Sequence, residues 1–346
     1  MDLTQLKTES PLVFGFAESR IGGRAENQDS FAWADTPIGF LITVCDGMGG
    51  GPGGKTASFI AVNEIIAGVM EADQQEETAN ILIKAIRRAN MAIITRGNEQ
   101  PELKGMGSTC TVALINSKFA TIAHVGDSRV YQFRGRTKIF RTFDHSMVFD
   151  LVKQKVITEE QARLSAQSNV ITRALGIKPD LEVEILERPF EAGDRFLLCT
   201  DGIHGSIEEK RLIKQVTNRK IALGPVVDGI ATEIDNIGRI SGGGHDNLTL
   251  AIIETKLNSI KKDSMSKKIK QILLAIGAVC IISIAANIFL TITTIGQSNT
   301  LKDLGDQEIL MHTNDSLIGE IKKTEPEADR RFSQNRSNNS RVGKRP

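Results

Sequence analysis

Four aspartates stand where apolar stretches meet glycine. FLITVC runs into Asp46, FATIAHVG into Asp127 and RFLLCT into Asp201, while Asp246 precedes LTLAII; each acid has a glycine adjacent or within three residues. One such pair is ordinary turn chemistry, because Asp and Gly both suit tight backbone conformations. Four apolar strands that each deliver a carboxylate beside a glycine imply more. If those ends converge, like charges share one small space and each raises the pKa of its neighbours. Divalent cations resolve that conflict, and oxygen ligands with no histidine or thiolate beside them select hard ions, Mg²⁺ or Mn²⁺. The glycines let the backbone approach closely and leave a carbonyl oxygen free to join the ligand set.

The elements that must carry these acids are legible in the apolar spacing. Helical periodicity covers Lys55 to Met70, Thr78 to Arg96 (with Ile81, Ile83, Ile86, Ala89 and Ile93 on its apolar side), and stretches near 208–217 and 224–237. Strands at 109–116 and 119–125 are joined by a short Asn-Ser-Lys turn and read as a hairpin, which requires antiparallel sheet. The expectation is an α+β domain with a strand-rich core.

The 346 residues carry 43 basic and 42 acidic side chains and are 40% hydrophobic, which suits a large buried core and excludes nucleic-acid binding by bulk charge. Cys45, Cys110, Cys199 and Cys280 are widely spaced, each inside an apolar run, and read as small core residues of a reducing compartment. The opening MDLTQLKTESPLVFGF has no basic region followed by a long apolar block, so no cleaved signal peptide is expected. Solubility ends at 272–295, twenty-four residues without a charge. As a helix they reach about 36 Å, enough to cross a hydrocarbon core. Lys261, Lys262, Lys267, Lys268 and Lys270 precede the span, whereas Lys302, Asp303, Asp306 and Glu308 follow it. The positive-inside rule therefore predicts a single-pass protein of the inner (cytoplasmic) membrane with residues 1–271 in the cytoplasm. The expected organisation is a catalytic domain over 10–255, a basic linker over 256–271, the span, and an extracytoplasmic tail over 296–346 whose composition predicts disorder.

Eight short motifs then follow one another in order: Arg24-Ala-Glu-Asn-Gln28-Asp29, Asp46-Gly47-Met48-Gly49-Gly50, Gly107-Ser108-Thr109, Val125-Gly126-Asp127-Ser128-Arg129, Asp144-His145-Ser146, Ile171-Thr172-Arg173-Ala174-Leu175-Gly176, Thr200-Asp201-Gly202 and Gly244-His245-Asp246-Asn247-Leu248-Thr249. The series, from about residue 12 to 254, resembles the metal-dependent serine/threonine phosphatases of the type 2C (PPM) family in their bacterial form. The resemblance implies a two-layer antiparallel β-sandwich flanked by helices, acting on phosphorylated protein substrates. It also implies two Mn²⁺ or Mg²⁺ ions bridged by Asp46, with the Gly47 carbonyl on one and Asp201 and Asp246 completing the shell of the other. Asp127 matches the position of a third, looser ion. Asp29 matches an acid that orients water, and Arg24 matches the phosphate-binding arginine. A membrane address further suggests a Ser/Thr kinase or its targets as partners.

Three positions depart from the family pattern: Gln28 replaces a frequent Glu, Met48 a histidine of eukaryotic relatives, and Lys55 a frequent acid. His145 and His204 read as structural rather than catalytic. The segment from about 145 to 170 falls where the family has a variable flap beside the site. Two rival readings are open to test. Gly49 to Thr56 fits the nucleotide-binding string GxxxxGK[ST], which would demand a mostly parallel sheet. A catalytically dead binding module would have no need to keep Arg24 and the five aspartates.

Overall fold

A computed structural model of the protein describes residues 5–49, 52–165, 167, 170–259, 276, 280–297, 302–311 and 313–316. The chain forms two compact units, Met1–Lys262 and Asp263–Pro346.

The first unit begins with β1 (Gln5–Glu9), β2 (Val13–Arg20), β3 (Asp29–Thr36) and β4 (Gly39–Met48), followed by α1 (Pro52–Met70) and α2 (Thr78–Glu99). Next come β5 (Gly107–Ser108), β6 (Cys110–Ile115), β7 (Ala120–Val125), β8 (Arg129–Arg134) and β9 (Thr137–Arg141), then the short helices α3 (Met147–Lys153) and α4 (Glu159–Arg163). The unit closes with β10 (Glu184–Arg188), β11 (Arg195–Cys199), α5 (Asp201–His204), α6 (Glu209–Val216), α7 (Leu223–Ile240) and β12 (Leu248–Thr255). One sheet has the order β1-β2-β12-β11-β8-β9; the other runs β10-β7-β6-β4-β3, with β5 paired to β4. Every strand pair is antiparallel.

Both faces of the central strands are buried, which is why FLITVC is apolar apart from Thr43 and does not alternate regularly with polar residues. Leu41 and Cys45 face α1 and α2 through Ala57, Ala61, Ile65, Leu82 and Ile86. Phe40, Ile42 and Val44 point the other way, into the layer between the sheets, where they meet Val13, Phe196, Leu198, Ala251 and Ile253. On the far side of the second sheet, Leu197, Cys199, Leu250 and Ile252 pack under α6 and α7 through Leu212, Val227, Ile230 and Ile234. Three apolar layers thus stack as helices, sheet, sheet, helices, the architecture that the family resemblance implies. The period of two has a direct consequence for Asp46. It shares the face of Phe40, Ile42 and Val44 and lies at the end of the inter-sheet layer.

Several expectations need adjustment. β4 continues two residues past Asp46, because Gly47 and Met48 pair with Ser108 and Gly107 of β5. Asp201 does not terminate a strand: β11 stops at Cys199 and Asp201 opens α5. The antiparallel sheets remove the basis for the nucleotide-binding reading of Gly49 to Thr56, since among the described residues β4 has no parallel neighbour. Cys45, Cys110 and Cys199 are buried, but Cys280 is exposed and lies in the second unit, so it is no core residue.

In the second unit, one helix, Cys280–Ser316, is long and apolar enough to cross a membrane by length and composition; an 18-residue stretch of it has a mean hydropathy of 1.6 with none buried. The predicted span begins before the described helix, and residues 260–275 lie outside the described residues. Within 296–346, where composition predicts disorder, residues 302–311 and 313–316 are helical. The Leu, Glu, Gln and Lys in this part of the tail are good helix formers, which a reading weighted toward the basic end of the tail overlooked.

Phe196 is completely buried between the sheets. Phe196→Ala should destabilise the first unit by about 3–5 kcal/mol, the usual cost of emptying a large aromatic site. Urea unfolding followed by fluorescence of Trp33, which packs against the same layer, measures it.

Candidate active site

The sandwich opens at the end where β4 stops, and the acids gather there. Asp29 begins β3 directly opposite Asp46 of β4. Asp127 lies in the turn from β7 to β8, where Gly126 takes a φ of +102° and a side chain would strike Thr109. Asp246 lies just before β12. A cleft of about 450 Å³ is lined by Arg24, Glu26, Gln28, Asp46, Gly47, Met48, Thr109, Asp127, Ile171, Asp201, Asp246 and Asn247. Six of the seven residues singled out from the sequence therefore line one cleft, and the seventh, Asp29, stands behind Asp46.

Neutral hydrogen-bonding groups hold the acids in place. The Asp46 backbone N–H donates to Thr109 Oγ1 (2.9 Å), and the Thr109 N–H returns a bond to the Asp46 carbonyl (2.8 Å). Asp29 Oδ2 accepts from Thr200 Oγ1 at 3.0 Å. Asn247 ties the Arg24 loop to the strand beneath: its Oδ1 accepts from the Gln28 N–H (2.8 Å), while Nδ2 donates to the carbonyls of Ile21 (2.7 Å) and Glu26 (3.0 Å). Thr109, Thr200 and Asn247 all stand inside the quoted motifs, yet nothing in a single sequence says which neighbour of an acid holds it. Gly47 has no room for a side chain, because a Cβ would stand 2.0 Å from the Gly54 carbonyl oxygen.

Arg24 is half exposed and pairs with Asp246 Oδ2 at 3.0 Å. Glu26, two residues along the chain, faces Lys55 at 3.5 Å. Both are surface pairs of small energetic value, so Arg24 can exchange Asp246 for an incoming anion at little cost. Asp144 lies next to the cleft but is already matched, with Arg129 donating to both of its carboxylate oxygens (2.6 and 2.7 Å) in a buried fork.

The charge balance is lopsided. Asp29 and Asp127 are only 8% and 7% exposed. Burial, partly offset by bonds from Thr249 and Thr200, lifts Asp29 to about 7, with Asp201 and Asp246 adding repulsion. Burial lifts Asp201 to about 6, again with repulsion from Asp246 and against a hydrogen bond from Asp46. Asp46 and Asp127 are raised well above the carboxylate range by burial and by their acidic neighbours. Carboxylates collected around one cleft with a single arginine in contact form a cation site by composition. Their donors are all oxygen, which fits Mg²⁺ or Mn²⁺.

A second cluster has a different character. Nitrogen and oxygen atoms of His124, His145 and Glu184 lie within 4.8 Å of one another. His145 Nδ1 accepts the Gly126 N–H at 3.1 Å, so the ring proton sits on Nε2 and faces Glu184 Oε2 at 3.2 Å. That nitrogen has no lone pair to offer a metal; His145 and Glu184 are joined by a hydrogen bond and the His124 ring is stacked on His145. Both histidines set aside as structural, His145 and His204, are buried and touch the Asp127 turn.

Residues 18–225 match the family model described as Protein phosphatase 2C. The chain belongs to the protein phosphatase 2C family. Relatives of this phosphatase include a serine/threonine phosphatase of Listeria monocytogenes, 32% identical over 246 residues that span 70% of this chain and 92% of the relative. A serine/threonine protein phosphatase of Mycobacterium tuberculosis is 32% identical over 67% of this chain and 42% of its own length. Among solved structures, the Mycobacterium tuberculosis phosphatase superposes with a TM-score of 0.59 at 30% identity, covering 71% of this chain and 99% of that one. The phosphatase of Staphylococcus aureus gives 0.63 at 26%, covering 72% and 96%. A catalytic domain of the phosphatase PstP in complex with two manganese ions gives 0.58 at 29%, covering 71% and 99%. The chain is accordingly a protein serine/threonine phosphatase with the family's sandwich fold.

The raised acids set a pH dependence for the metal-stripped phosphatase. Below the ordinary aspartate pKa of 3.8, folded and unfolded chains are both protonated and the cluster costs nothing. As the pH climbs toward 7 the unfolded chain releases protons that the folded chain retains, so folded stability falls. Protein treated with a chelator should therefore melt at lower temperature at about pH 7.5 than at about pH 5.5, and saturating Mn²⁺ should remove the difference. Equal melting at the two pH values without metal would contradict the clustered-acid account.

Proposed function

We propose that this phosphatase hydrolyses phosphoserine and phosphothreonine of proteins at the acid cleft with the help of two divalent ions, Mn²⁺ or Mg²⁺. The convergence of Asp46, Asp127, Asp201 and Asp246 on one cleft, with Arg24 as its contacting cation, carries this reading. Asp46, the Gly47 carbonyl, Asp201 and Asp246 would hold the two ions, and Asp127 a third, looser one. Bound there, such ions supply Lewis acidity that offsets phosphate charge and lowers the pKa of water.

The chain's own residues do the rest. Arg24 presents a planar fork of donors at the rim and leaves Asp246 to bind the nonreacting phosphate oxygens, where it offsets charge that builds in the transition state. Asp29, bonded by Thr200, sits opposite Asp46 and would help orient water held beside that acid. Met48 lines the cleft and has no proton to give, so the leaving serine or threonine oxygen takes its proton from water. Asp46→Ala and Asp201→Ala should each lower Mn²⁺-dependent hydrolysis of p-nitrophenyl phosphate by at least about 100-fold, more than outer-shell partners usually cost, with the fold retained. Near wild-type turnover in either variant would sink the two-ion assignment.

The reading extends to location. A single helix over 272–295 would anchor the phosphatase in the inner membrane with its catalytic domain in the cytoplasm, where membrane-associated phosphoproteins such as a Ser/Thr kinase or its targets are the substrates. Two features support it. An 18-residue stretch of the described helix is apolar, with none of it buried. Thr291 and Thr294 also return their hydroxyls to the carbonyls of Asn287 and Leu290 (2.7 Å each), the way polar side chains are satisfied in lipid. The full chain should stay in the membrane pellet through an alkaline carbonate wash, and a chain ended at Lys270 should move to the supernatant. A full chain released by carbonate would overturn the anchor.

A further inference from the structure

The two histidines read from the sequence as structural both bond the backbone of the Gly126–Asp127 turn. On one side His145 exchanges a pair of bonds with Gly126: its backbone N–H donates to the Gly126 carbonyl (2.9 Å) and its ring Nδ1 accepts the Gly126 N–H (3.1 Å). On the other side His204 Nε2 bonds the Asp127 carbonyl at 3.0 Å. A carbonyl only accepts, so this nitrogen carries the His204 proton.

His145 is itself held on three more sides. Glu184, on the edge strand β10, takes its Nε2 proton at 3.2 Å. The His124 ring stacks on it at 4.5 Å between centroids, with 15° between planes, and is fixed in turn by the Phe143 carbonyl at 2.9 Å. The His145 carbonyl accepts the Thr172 N–H (2.8 Å), while Ser146 bridges to Ile171 and the Met147 N–H donates to the Val170 carbonyl (3.1 Å). Residues 145–147 and 170–172 are the two feet of the flap that carries α3 and α4. His145 therefore joins the edge strand and the Asp127 turn through its ring, and the second foot of the flap through its backbone.

We propose that His145 and His204 are positioning residues for Asp127, their rings holding the Gly126 N–H and the Asp127 carbonyl on either side of the Gly126–Asp127 peptide, and that residue His145 makes flap seating and Asp127 placement a single event. This rests on the reading of Asp127 as a metal carboxylate. A left-handed glycine beside a buried acid leaves the turn free to rotate unless its polar groups are claimed; the His145 ring takes the Gly126 N–H, the His145 backbone N–H takes the Gly126 carbonyl, and the His204 ring takes the Asp127 carbonyl.

The test uses the full chain. Mn²⁺ binding is followed by titration calorimetry in the wild type, Asp127→Ala, His145→Leu, His145→Asn and the double variant Asp127→Ala/His145→Leu. The Asn Oδ1 stands near the place of Nδ1 and can accept the Gly126 N–H, whereas Leu cannot. His145→Leu should weaken the Asp127-dependent binding event about tenfold, in the range of outer-shell substitutions, and His145→Asn should stay within about threefold. The double variant should bind no worse than Asp127→Ala alone. Wild-type binding in His145→Leu, equal loss in Asn and Leu, or losses that add in the double variant would each overturn the proposal.

Amide hydrogen exchange at Gly126 in the metal-free chain separates this inference from the reading beneath it. A wild type with slow Gly126 exchange but no Asp127-dependent Mn²⁺ event overturns the metal role of Asp127. Exchange that is fast in the wild type, or unchanged by His145→Leu, overturns the clamp. If His145→Leu does not fold, His204→Leu and His204→Gln give the same comparison from the other side, since the Gln amide nitrogen stands near the place of Nε2.

Discussion

A charge cannot be placed inside this sandwich without a partner, and that constraint organises the molecule. Both faces of β4, β6, β11 and β12 are covered mainly by apolar side chains, and the carboxylates of the cleft gather at the ends of the strands. Asp46 shows how narrow the margin is. It shares a face with Phe40, Ile42 and Val44, all within the layer between the sheets. Two residues earlier in the strand, its charge would be sealed between β-sheets. At the end of the layer it can meet water, other acids and cations.

Neutral scaffolding holds the acids at that end. Hydroxyls and amides from Thr109, Thr200 and Asn247 fix their positions without cancelling their charge. The strongest cation nearby, Arg129, is consumed by Asp144 in a buried fork. Such an arrangement is unfavourable in the bare fold, as the upward shifts of Asp29, Asp46, Asp127 and Asp201 express, and becomes favourable once positive charge enters the cleft. Local stability is given up at one end of the molecule, while three apolar layers supply the stability of the whole.

The departures from the family pattern acquire physical places. The Gln28 side chain lies against the backbone of Gly54, where any side chain on that residue would meet the Gln28 amide oxygen at 2.6 Å. Lys55 stands on the outer rim, facing Glu26 and largely exposed. Gln28 and Lys55 make the rim less acidic than the family pattern implies, and Met48 lines the same cleft as the acids.

By itself the sequence determined the layers and the chemistry. An apolar run such as FLITVC needs both faces covered, the spacing of Ile81, Ile86, Ala89 and Ile93 needs a sheet to lie on, and aspartates beside glycines at strand ends call for hard cations. Those are local properties, set by period, polarity and donor type. What the sequence could not decide was which distant groups meet. Glu26 and Asp246 are equally good partners for Arg24 on paper, yet the register of β12 against β2 and the clamp made by Asn247 bring Asp246 to it. His145 and His204 are 59 positions apart and carry no shared pattern, so only the folded chain reveals that both hold the Asp127 turn. Hydrogen bonds act over about 3 Å, and contacts at that range between residues far apart in the chain exist only after the sheets have paired.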